Sequence, residues 1–244
     1  MLLAEQTWPD VAAYLEKSRT VVIPLGSVEQ HGHALPLGTD AYIAEAMARE
    51  VGRRAGRLVA PTLAPGMSLN VHPEFPGTLS CMPDTFTAVI RDCVASLHRH
   101  GFRAFLLVNG HGGNEGCIQN AMAESAYRLP GMKYAWANWW RMPEINRREA
   151  ELGLGSCGHG GGSEAALLMH VKPALARPEL FRTDMKGARF KTSGDLARSL
   201  VTETGIIDAR QEKATAEIGA GLFELAVAHH LGLLRVLEEE GARG

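Results

Sequence analysis

Short apolar runs alternate with longer amphipathic stretches along this chain. The clearest run is five consecutive apolar residues at 104–108, and β-branched residues fill another at 20–24. Runs of this length flanked by turn residues are typical of buried strands, whereas apolar residues that recur every three or four positions are typical of helices. The pattern predicts strands at 20–24, 58–63, 104–108 and 133–137, and helices at 40–54, 84–100, 114–127, 163–170 and 209–237.

The repeated order of strand, loop and helix predicts the fold class. Such units favour an α/β fold in which a mostly parallel sheet carries helices on both faces, a three-layer α/β/α sandwich. No internal repeat or linker interrupts the chain, so we expect residues 1–244 to form a single domain. The 209–237 helix contains three glycines that are potential breaks, and its apolar stripe covers either the sheet or a subunit contact.

Composition and charge narrow the classes of function. The 244 residues are 45% hydrophobic and 21% charged, which excludes a disordered chain. The net charge of −2, from 25 basic and 27 acidic residues, argues against a surface for nucleic acid or for a membrane. The four cysteines form no CxxC pair, the first residues lack the features of a secretory leader, and no uninterrupted apolar run approaches a membrane span. We therefore expect a cytoplasmic protein.

Three polar, glycine-rich loops carry the residues with candidate chemistry. One follows the first predicted strand (26–40), one follows the 104–108 strand (109–114), and one precedes the 163–170 helix (158–164). Their histidines and carboxylates are Glu29, His31, His33, Asp40, His111, His159 and Glu164. Because ligands of parallel sheets bind beyond the carboxyl ends of the strands, we expect these loops to meet in one site.

Imidazole and carboxylate together are ligands of Zn, Mn and Fe(II). Glu29 and His31 alternate, so an extended segment points both side chains to one side, and the two oxygens of Asp40 can bridge two cations. NGHGGN at 109–114 has neither the GK[ST] of a P-loop nor a spaced GxGxxG. Ordinary turns with hydrogen-bonded histidines are the alternative, and the residues alone leave both interpretations open.

Four motifs, in order, resemble those of the creatininase family of metal-dependent amidohydrolases. They are PLGSVEQHGHALPLGTD at 24–40, HPEFPGTLS at 72–80, NGHGGN at 109–114 and HGGGSE at 159–164, and the resemblance extends over residues 8–228. It implies a layered α/β/α fold with the site at the strand ends, hydrolysis of a C–N amide bond, and a homo-oligomer, usually a hexamer.

The resemblance also implies a role for each residue of the site. Two divalent metal ions (Zn, Mn or Fe) per subunit are expected, one held by Glu29, Asp40 and His111 and the other by His31, Asp40 and Glu164. A hydroxide held between the two cations attacks the amide carbonyl. His159 passes a proton to the leaving nitrogen, and Glu164 is also assigned to the catalytic set.

Departures from creatininase itself concern the substrate. In creatininase, a Trp–Asp pair just before the catalytic histidine helps to hold the cyclic guanidine, and this pair corresponds to Gly155 and Ser156 here. The tyrosine that follows its NGH histidine corresponds to Gly112. We therefore do not expect creatinine to be the substrate. A cyclic amide, a formamide or a related small amide is expected instead. The alternatives are a peptidase that trims a specific small or modified peptide, and a non-catalytic metal-binding assembly subunit.

Several residues are candidates for contact with the substrate. They are His33, His72, Gly77, Thr78, Gly112, Trp139 and Trp140. Because adjacent residues of a strand face opposite sides, we expect only one of the two tryptophans to line the pocket.

Overall fold

A four-stranded sheet lies at the centre of the computed structural model, which describes residues 1–69, 74–154, 158–184, 204–207 and 209–242. Its strands are β1 (Thr20–Leu25), β2 (Leu58–Val59), β3 (Ala104–Asn109) and β4 (Lys133–Asn138). They lie in the order β2-β1-β3-β4 and all run parallel. Because β1, β3 and β4 pair along their whole length, Leu25, Asn109 and Asn138 end these strands side by side.

Helices cover both faces of this sheet. They are α1 (Trp8–Leu15), α2 (Thr39–Ala55), α3 (Pro83–Arg99), α4 (Glu115–Arg128), α5 (Pro143–Leu152), α6 (Gly162–Val171) and α7 (Ala216–Ala242). A short antiparallel pair joins β5 (Thr183–Asp184) to β6 (Ala209–Arg210). The predicted α/β sandwich with a parallel sheet is confirmed.

Alternation along the strands divides the core into two layers. Val22, Leu106 and Val108 face α2 and α7, and the intervening residues Phe105 and Leu107 face the opposite layer of α3 and α4. These side chains are fully buried. Each such side chain contributes about 1.5–3 kcal/mol relative to an exposed one, so a continuous apolar layer on each face holds the strand ends in place.

The second predicted strand is shorter than expected. Pairing of β2 with β1 covers two residues and ends before Pro61, although an isolated bridge joins Leu25 to Leu63 farther along. Proline has no backbone N–H and cannot donate a hydrogen bond to the neighbouring strand. The strand predicted at 58–63 therefore begins where expected but is shorter than predicted.

Helix α7 corrects the predicted start of the 209–237 helix. It begins seven residues later, at Ala216, because Thr215 caps it: Ile218 N donates to Thr215 Oγ1 at 3.2 Å. The residues before it form β6 and a 3₁₀ turn, Gln211–Lys213. The helix runs without a break through all three of its candidate glycines, Gly219, Gly221 and Gly232.

The apolar character of α7 also corrects an expectation. By length and composition, Ala216–Glu239 matches a membrane span, with 24 residues and a mean hydropathy of 1.3. Core helices of water-soluble proteins pass the same test, and Leu222, Ala226 and Leu234 of α7 are buried against the sheet. These residues pack α7 against the sheet, and 39% of the candidate span is buried.

Two helices were not predicted, although each carries a start signal. Thr7 and Asp10 form a capping box at the start of α1, with Thr7 N donating to Asp10 Oδ2 at 3.0 Å. Pro143 is the first residue of α5, and Gly153 ends it in a left-handed conformation. Outside the described residues lie His72, Gly155, Ser156 and most of the 181–202 stretch.

Candidate metal centre

A pocket of about 210 Å³ opens at the carboxyl ends of β1, β3 and β4. It collects residues from the segments that follow these strands and from the loop before α6. The lining consists of Glu29, Asp40, Gly110, His111, Gly112, Gly113, Trp140, Gly158, His159 and Glu164. The three polar loops therefore meet, as the position of ligand sites in parallel sheets predicts.

Two glycines bring Asp40 to this edge of the sheet. Asp40 is the second residue of α2, whose start packs directly on the ends of β1 and β3. A Cβ atom on Gly26 would lie 2.3 Å from Ala41 Cα, and one on Gly110 would lie 2.4 Å from the Asp40 carbonyl oxygen. Only glycine permits this approach of helix to strand end.

Glu29, Asp40 and His111 form the first group of candidate ligands. His111 Nδ1 lies 3.1 Å from Glu29 Oε1 and 3.1 Å from Asp40 Oδ2. The other ring nitrogen, Nε2, donates to the backbone oxygen of Met67 at 2.8 Å, so Nδ1 is the nitrogen that faces the carboxylates. A cation at this position would have two oxygen donors and one nitrogen donor.

His31, Asp40 and Glu164 form the second group. His31 Nε2 lies 2.9 Å from Asp40 Oδ1 and 3.9 Å from Glu164 Oε1, and His31 Nδ1 donates to the backbone oxygen of Glu29 at 3.0 Å. Glu164 Oε2 accepts hydrogen bonds from Gly160 N and Gly161 N at 2.6 and 3.3 Å, so its Oε1 is held toward the group. Asp40 thus contributes one oxygen to each group.

The donors fit divalent cations of the Zn and Mn type. Within each group the candidate ligand atoms lie within 4.8 Å of one another, and all five residues of the two groups are buried. Asp40 Oδ2 is buried and faces His111 Nδ1 at 3.1 Å, so a cation bound there would take the place of a proton between these two atoms. Imidazole nitrogen and carboxylate oxygen are the donors that these metals prefer.

Opposing effects set the protonation of the two ligand histidines. Burial lowers the pKa of His31, but the negative charges of Asp40, Glu164 and Glu29 outweigh it and raise this pKa to about 10. The pKa of His111 is likewise well above its usual value, because Glu29 and Asp40 outweigh its burial. In the absence of a cation, protons on these histidines balance the carboxylate charge.

The pKa values of Asp40 and Glu164 shift in opposite directions. Burial tends to raise the pKa of Asp40, but the charges of His31 and His111 hold it below its usual range. Burial raises the pKa of Glu164 to about 7, and the Asp40 and Glu29 charges act in the same direction against His31. Glu164 therefore takes up a proton near neutral pH when no cation is bound.

His159 lies beside both groups, with its ring centre 4.4 Å from that of His31. Its Nε2 lies 2.5 Å from the backbone oxygen of Gln30 and 2.9 Å from the Gln30 side-chain Nε2. Its Nδ1 faces Glu29 Oε1 at 3.4 Å. The Gln30 side chain further ties this loop to the backbone, since its Nε2 donates to Gly205 O at 2.7 Å and its Oε1 accepts from Gly32 N at 3.0 Å.

The family model of creatininase, described as creatinine amidohydrolase, matches residues 4–234 of this chain. The chain belongs to the creatininase family. The resemblance of its four motifs is thereby confirmed, and so is the prediction that it is an amidohydrolase.

Three curated relatives show the range of activities in the family. The mycofactocin precursor peptide peptidase of Mycobacterium tuberculosis is 32% identical over 86% of this chain and 82% of its own length. The creatinine amidohydrolase of Pseudomonas putida is 31% identical over 72% and 73%. A 2-amino-5-formylamino-6-ribosylaminopyrimidin-4(3H)-one 5'-monophosphate deformylase of Methanothermobacter marburgensis is 31% identical over 77% and 80%.

Solved creatininase structures have the same fold. A mutant creatininase of the Zn-Zn type superposes with a TM-score of 0.86 at 25% identity, covering 96% of each chain. The structure titled "Creatininase Mn" superposes with a TM-score of 0.86 at 24% identity, covering 96% of this chain and 97% of that one. The Zn-Zn type of the 25% identical structure agrees with the donor sets described above.

Among the substrate candidates of this creatininase-family chain, Trp140 and Gly112 line the pocket. Trp139 is 1% exposed and packs in the core with Met142 and Ile145. One tryptophan therefore lines the pocket, as expected, but the geometric reason differs. The two belong to a 3₁₀ turn, Trp139–Arg141, that follows β4, not to a strand.

Three other candidates lie away from this pocket. His33 is exposed and borders a separate cavity beside Leu175 and Arg177. Thr78 Oγ1 accepts a hydrogen bond from Gln30 N at 3.1 Å, so Thr78 supports the Glu29 loop from behind. Gly77, at φ +92°, packs against Leu37. These three residues do not line the described pocket, because position in a loop does not fix the direction of a side chain, and their contact with a substrate stays a prediction.

Other residues at the site were missed by the sequence analysis. The Met67 carbonyl orients His111, Gln30 holds His159, and Gly158 lines the pocket. The NGHGGN asparagines form its support: Asn114 Nδ2 donates to Gly26 O at 3.0 Å and Asn109 Nδ2 donates to His111 O at 2.8 Å. Gln30, Asn109 and Asn114 lie inside recognisable motifs, whereas Met67 and Gly158 do not.

Proposed function

We propose that this chain hydrolyses the C–N bond of a small amide, with two divalent cations held by the two donor groups. The observation that carries the proposal is the orientation of Asp40, whose Oδ1 faces His31 and whose Oδ2 faces His111. One carboxylate is thus shared between two sets of ligands. When bound, such a cation pair polarises a carbonyl and lowers the pKa of a water molecule.

His159 supplies the proton transfer in this proposal. In this proposal Nε2 keeps its proton toward the Gln30 carbonyl, and Nδ1, which faces Glu29, takes up and releases a proton. An amide nitrogen is a poor leaving group until it is protonated, so a positioned acid accelerates the reaction by a factor of about 10²–10⁴. Glu164 keeps its two oxygens divided between the start of α6 and the second ligand group.

The size and lining of the pocket support a small, uncharged amide. A volume of about 210 Å³ holds a ring or a short side chain. Trp140 is its one aromatic wall among the described lining residues, which include no lysine or arginine. A flat amide that stacks on an indole face, such as a lactam or an aromatic formamide, suits this lining.

A second candidate is the trimming of a specific peptide. The likeness to the mycofactocin precursor peptide peptidase favours it, since that relative matches most of this chain. Only the end of a peptide fits a pocket of this size, so the scissile bond would lie near a terminus. A panel of lactams, formamides and peptides with free or blocked ends separates the two candidates.

Elemental analysis of protein purified without chelator tests the proposed cation pair. We expect about two equivalents of Zn, Mn or Fe per chain. Asp40→Asn should lose both equivalents and at least about 10³-fold in turnover of any substrate found, since it removes a ligand from each group. Glu45→Gln is the matched control, because Glu45 lies on the same helix, half-exposed, and pairs only with Arg49 among the described residues.

Comparison of Asp40→Asn with Glu45→Gln separates the role of the shared carboxylate from a general effect of removing a charge from this helix. Loss of metal in Asp40→Asn alone, with an unchanged melting temperature, supports the shared carboxylate. Retained turnover in Asp40→Asn would overturn the proposed mechanism. Full metal content without hydrolysis across the amide and peptide panel would overturn the proposed substrate class.

A further inference from the structure

A second cavity lies at the amino ends of the strands, on the edge of the sheet opposite the candidate metal centre. Its volume is about 750 Å³, and we call it the basal cavity. The charged residues that line it are Lys17, Arg19, Arg57, Arg103, Lys133 and Glu238. A six-residue strand spans about 20 Å, so the two sites are well separated.

The parallel sheet explains why cations gather here. A basic residue begins or immediately precedes each strand: Arg57 before β2, Arg19 before β1, Arg103 before β3, and Lys133 at the start of β4. Because all four strands start at the same edge, these residues become neighbours. Arg103 N donates to Arg19 O and Lys133 N donates to Arg103 O, each at 2.8 Å. The backbone segments that carry these residues are therefore one strand spacing apart, about 4.8 Å.

The charges of the basal cavity are not balanced by its own carboxylate. Glu238 forms two bonds with Arg57, at 2.6 and 3.0 Å, and so is committed to that residue. It is the only carboxylate among the described lining residues, which leaves an excess of cationic groups at Lys17, Arg19 and Arg103. The whole chain carries a net charge of −2, so this excess is a local feature.

One of these cations is already held in place. Arg103 Nη1 donates to the backbone oxygens of His98 and Phe102 at 2.8 and 2.7 Å, which fixes its guanidinium at the cavity wall. Lys17 and Arg19 are exposed, and their side chains form no hydrogen bond or ion pair with the described residues. A fixed guanidinium beside two available cations is an arrangement suited to an oxyanion.

We propose that the basal cavity binds a small phosphate-bearing anion of at least two negative charges, either a free polyphosphate or a phosphate ester. Guanidinium groups match the oxygens of phosphate in pairs, and several cations at strand spacing reach several oxygens at once. The negative net charge of the chain disfavours a nucleic-acid backbone as the occupant. The site is independent of the amide hydrolysis proposed above.

Calorimetric titration of the metal-loaded protein tests this site, with inorganic pyrophosphate and glycerol 3-phosphate as separate probes. We expect a submillimolar dissociation constant for at least one probe, which weakens as salt is raised. Lys17→Ala/Arg19→Ala should weaken binding at least tenfold. The side chains of these two residues form no hydrogen bond or ion pair within the described part of the chain, so the melting temperature should not change.

The control variant, Arg147→Ala/Arg148→Ala, removes the same charge from α5, whose residues follow the carboxyl end of β4. It should bind both probes as the unmodified protein does. The probe that binds more tightly identifies the source of the phosphate. Absence of binding, or equal binding by all three proteins, would overturn the proposal, since equal binding means that Lys17 and Arg19 do not hold the anion.

Discussion

Individual residues at the candidate metal centre are fixed by backbone contacts as much as by other side chains. The Met67 carbonyl determines which nitrogen of His111 faces the carboxylates, and the Glu29 carbonyl does the same for His31. Each imidazole is therefore oriented before any cation arrives. Small changes in the backbone beside these histidines should consequently have large effects on metal binding.

Two adjacent glycines provide a matched test of this sensitivity. A Cβ atom on Gly113 would lie 2.0 Å from Met67 O and 2.4 Å from His111 Nε2, whereas one on Gly112 would have only Trp140 nearby, at 3.9 Å. We expect Gly113→Ala to displace His111 and to reduce metal content at least tenfold. Gly112→Ala should keep its metal and change KM instead, because it narrows the pocket beside Trp140. Equal metal content in the two variants would contradict the close packing at Gly113.

Gln30 is a positioning residue for His159. Its side chain is 5% exposed and ties the Glu29 loop to Gly205. Its Nε2 also lies 2.9 Å from His159 Nε2. We expect Gln30→Ala to lower kcat by about 10–100-fold with little change in KM or metal content, because His159 keeps its contact with the backbone oxygen of residue 30 but loses this side-chain contact. Gln119→Ala, exposed on α4, serves as the control. Loss of metal or of melting temperature in Gln30→Ala would show that Gln30 stabilises the fold instead.

For individual residues, the sequence predicts which residue types form the site better than it predicts the directions of their side chains. Glu29, His31, Asp40, His111 and Glu164 come together because each stands directly beyond a strand end or at a helix start, and such positions converge in a parallel sheet. His33, two residues from His31, turns to solvent instead. Its direction depends on the loop conformation, which has no simple period along the chain.

Among the elements, α7 shows how one close contact constrains a helix. A Cβ atom on Gly219 would lie 1.9 Å from the backbone oxygen of Ala166 in α6, whereas nothing lies within 4 Å of one on Gly221. We expect Gly219→Ala to lower the free energy of unfolding by about 2 kcal/mol or more, since the two helices must separate. Gly221→Ala should raise it by up to about 1 kcal/mol through helix propensity. Urea unfolding of both variants provides the measurement, and a stabilised Gly219→Ala would contradict the contact.

The first and last residues of elements with a strong apolar period were predicted within one or two residues. The bounds of elements that depend on a single cap or proline were not. The apolar runs of β1 and β3 predicted them closely because burial on both faces demands continuous apolar residues. The start of α7 depends on a cap at Thr215, and the end of β2 depends on Pro61. Such single-residue signals are easily outweighed by the apolar pattern around them.

The whole molecule presents chemically different edges of one sheet. Carboxylates and histidines collect where the parallel strands end, and cations collect where they start. Parallel pairing causes both, since it aligns every loop of one kind on one side. The alternation of strands and helices predicts the first edge, whereas the row of basic residues at the second is recognisable only once the strands are in register.

Metal binding by the whole molecule should be coupled to the release of protons. Without a cation, the pKa of His31 is raised to about 10 by the surrounding carboxylates, and burial raises that of Glu164 to about 7. A cation competes with these protons for the same lone pairs, so the affinity for Zn should fall as the pH is lowered. Each displaced proton contributes a factor of about ten per pH unit, and Glu164 adds its proton below about pH 7. Chelator competition from about pH 6 to 8 should therefore give a slope that steepens below the Glu164 pKa, and Glu164→Gln should lose this steepening. An affinity that is constant over this range would mean that the donor groups are not the metal site.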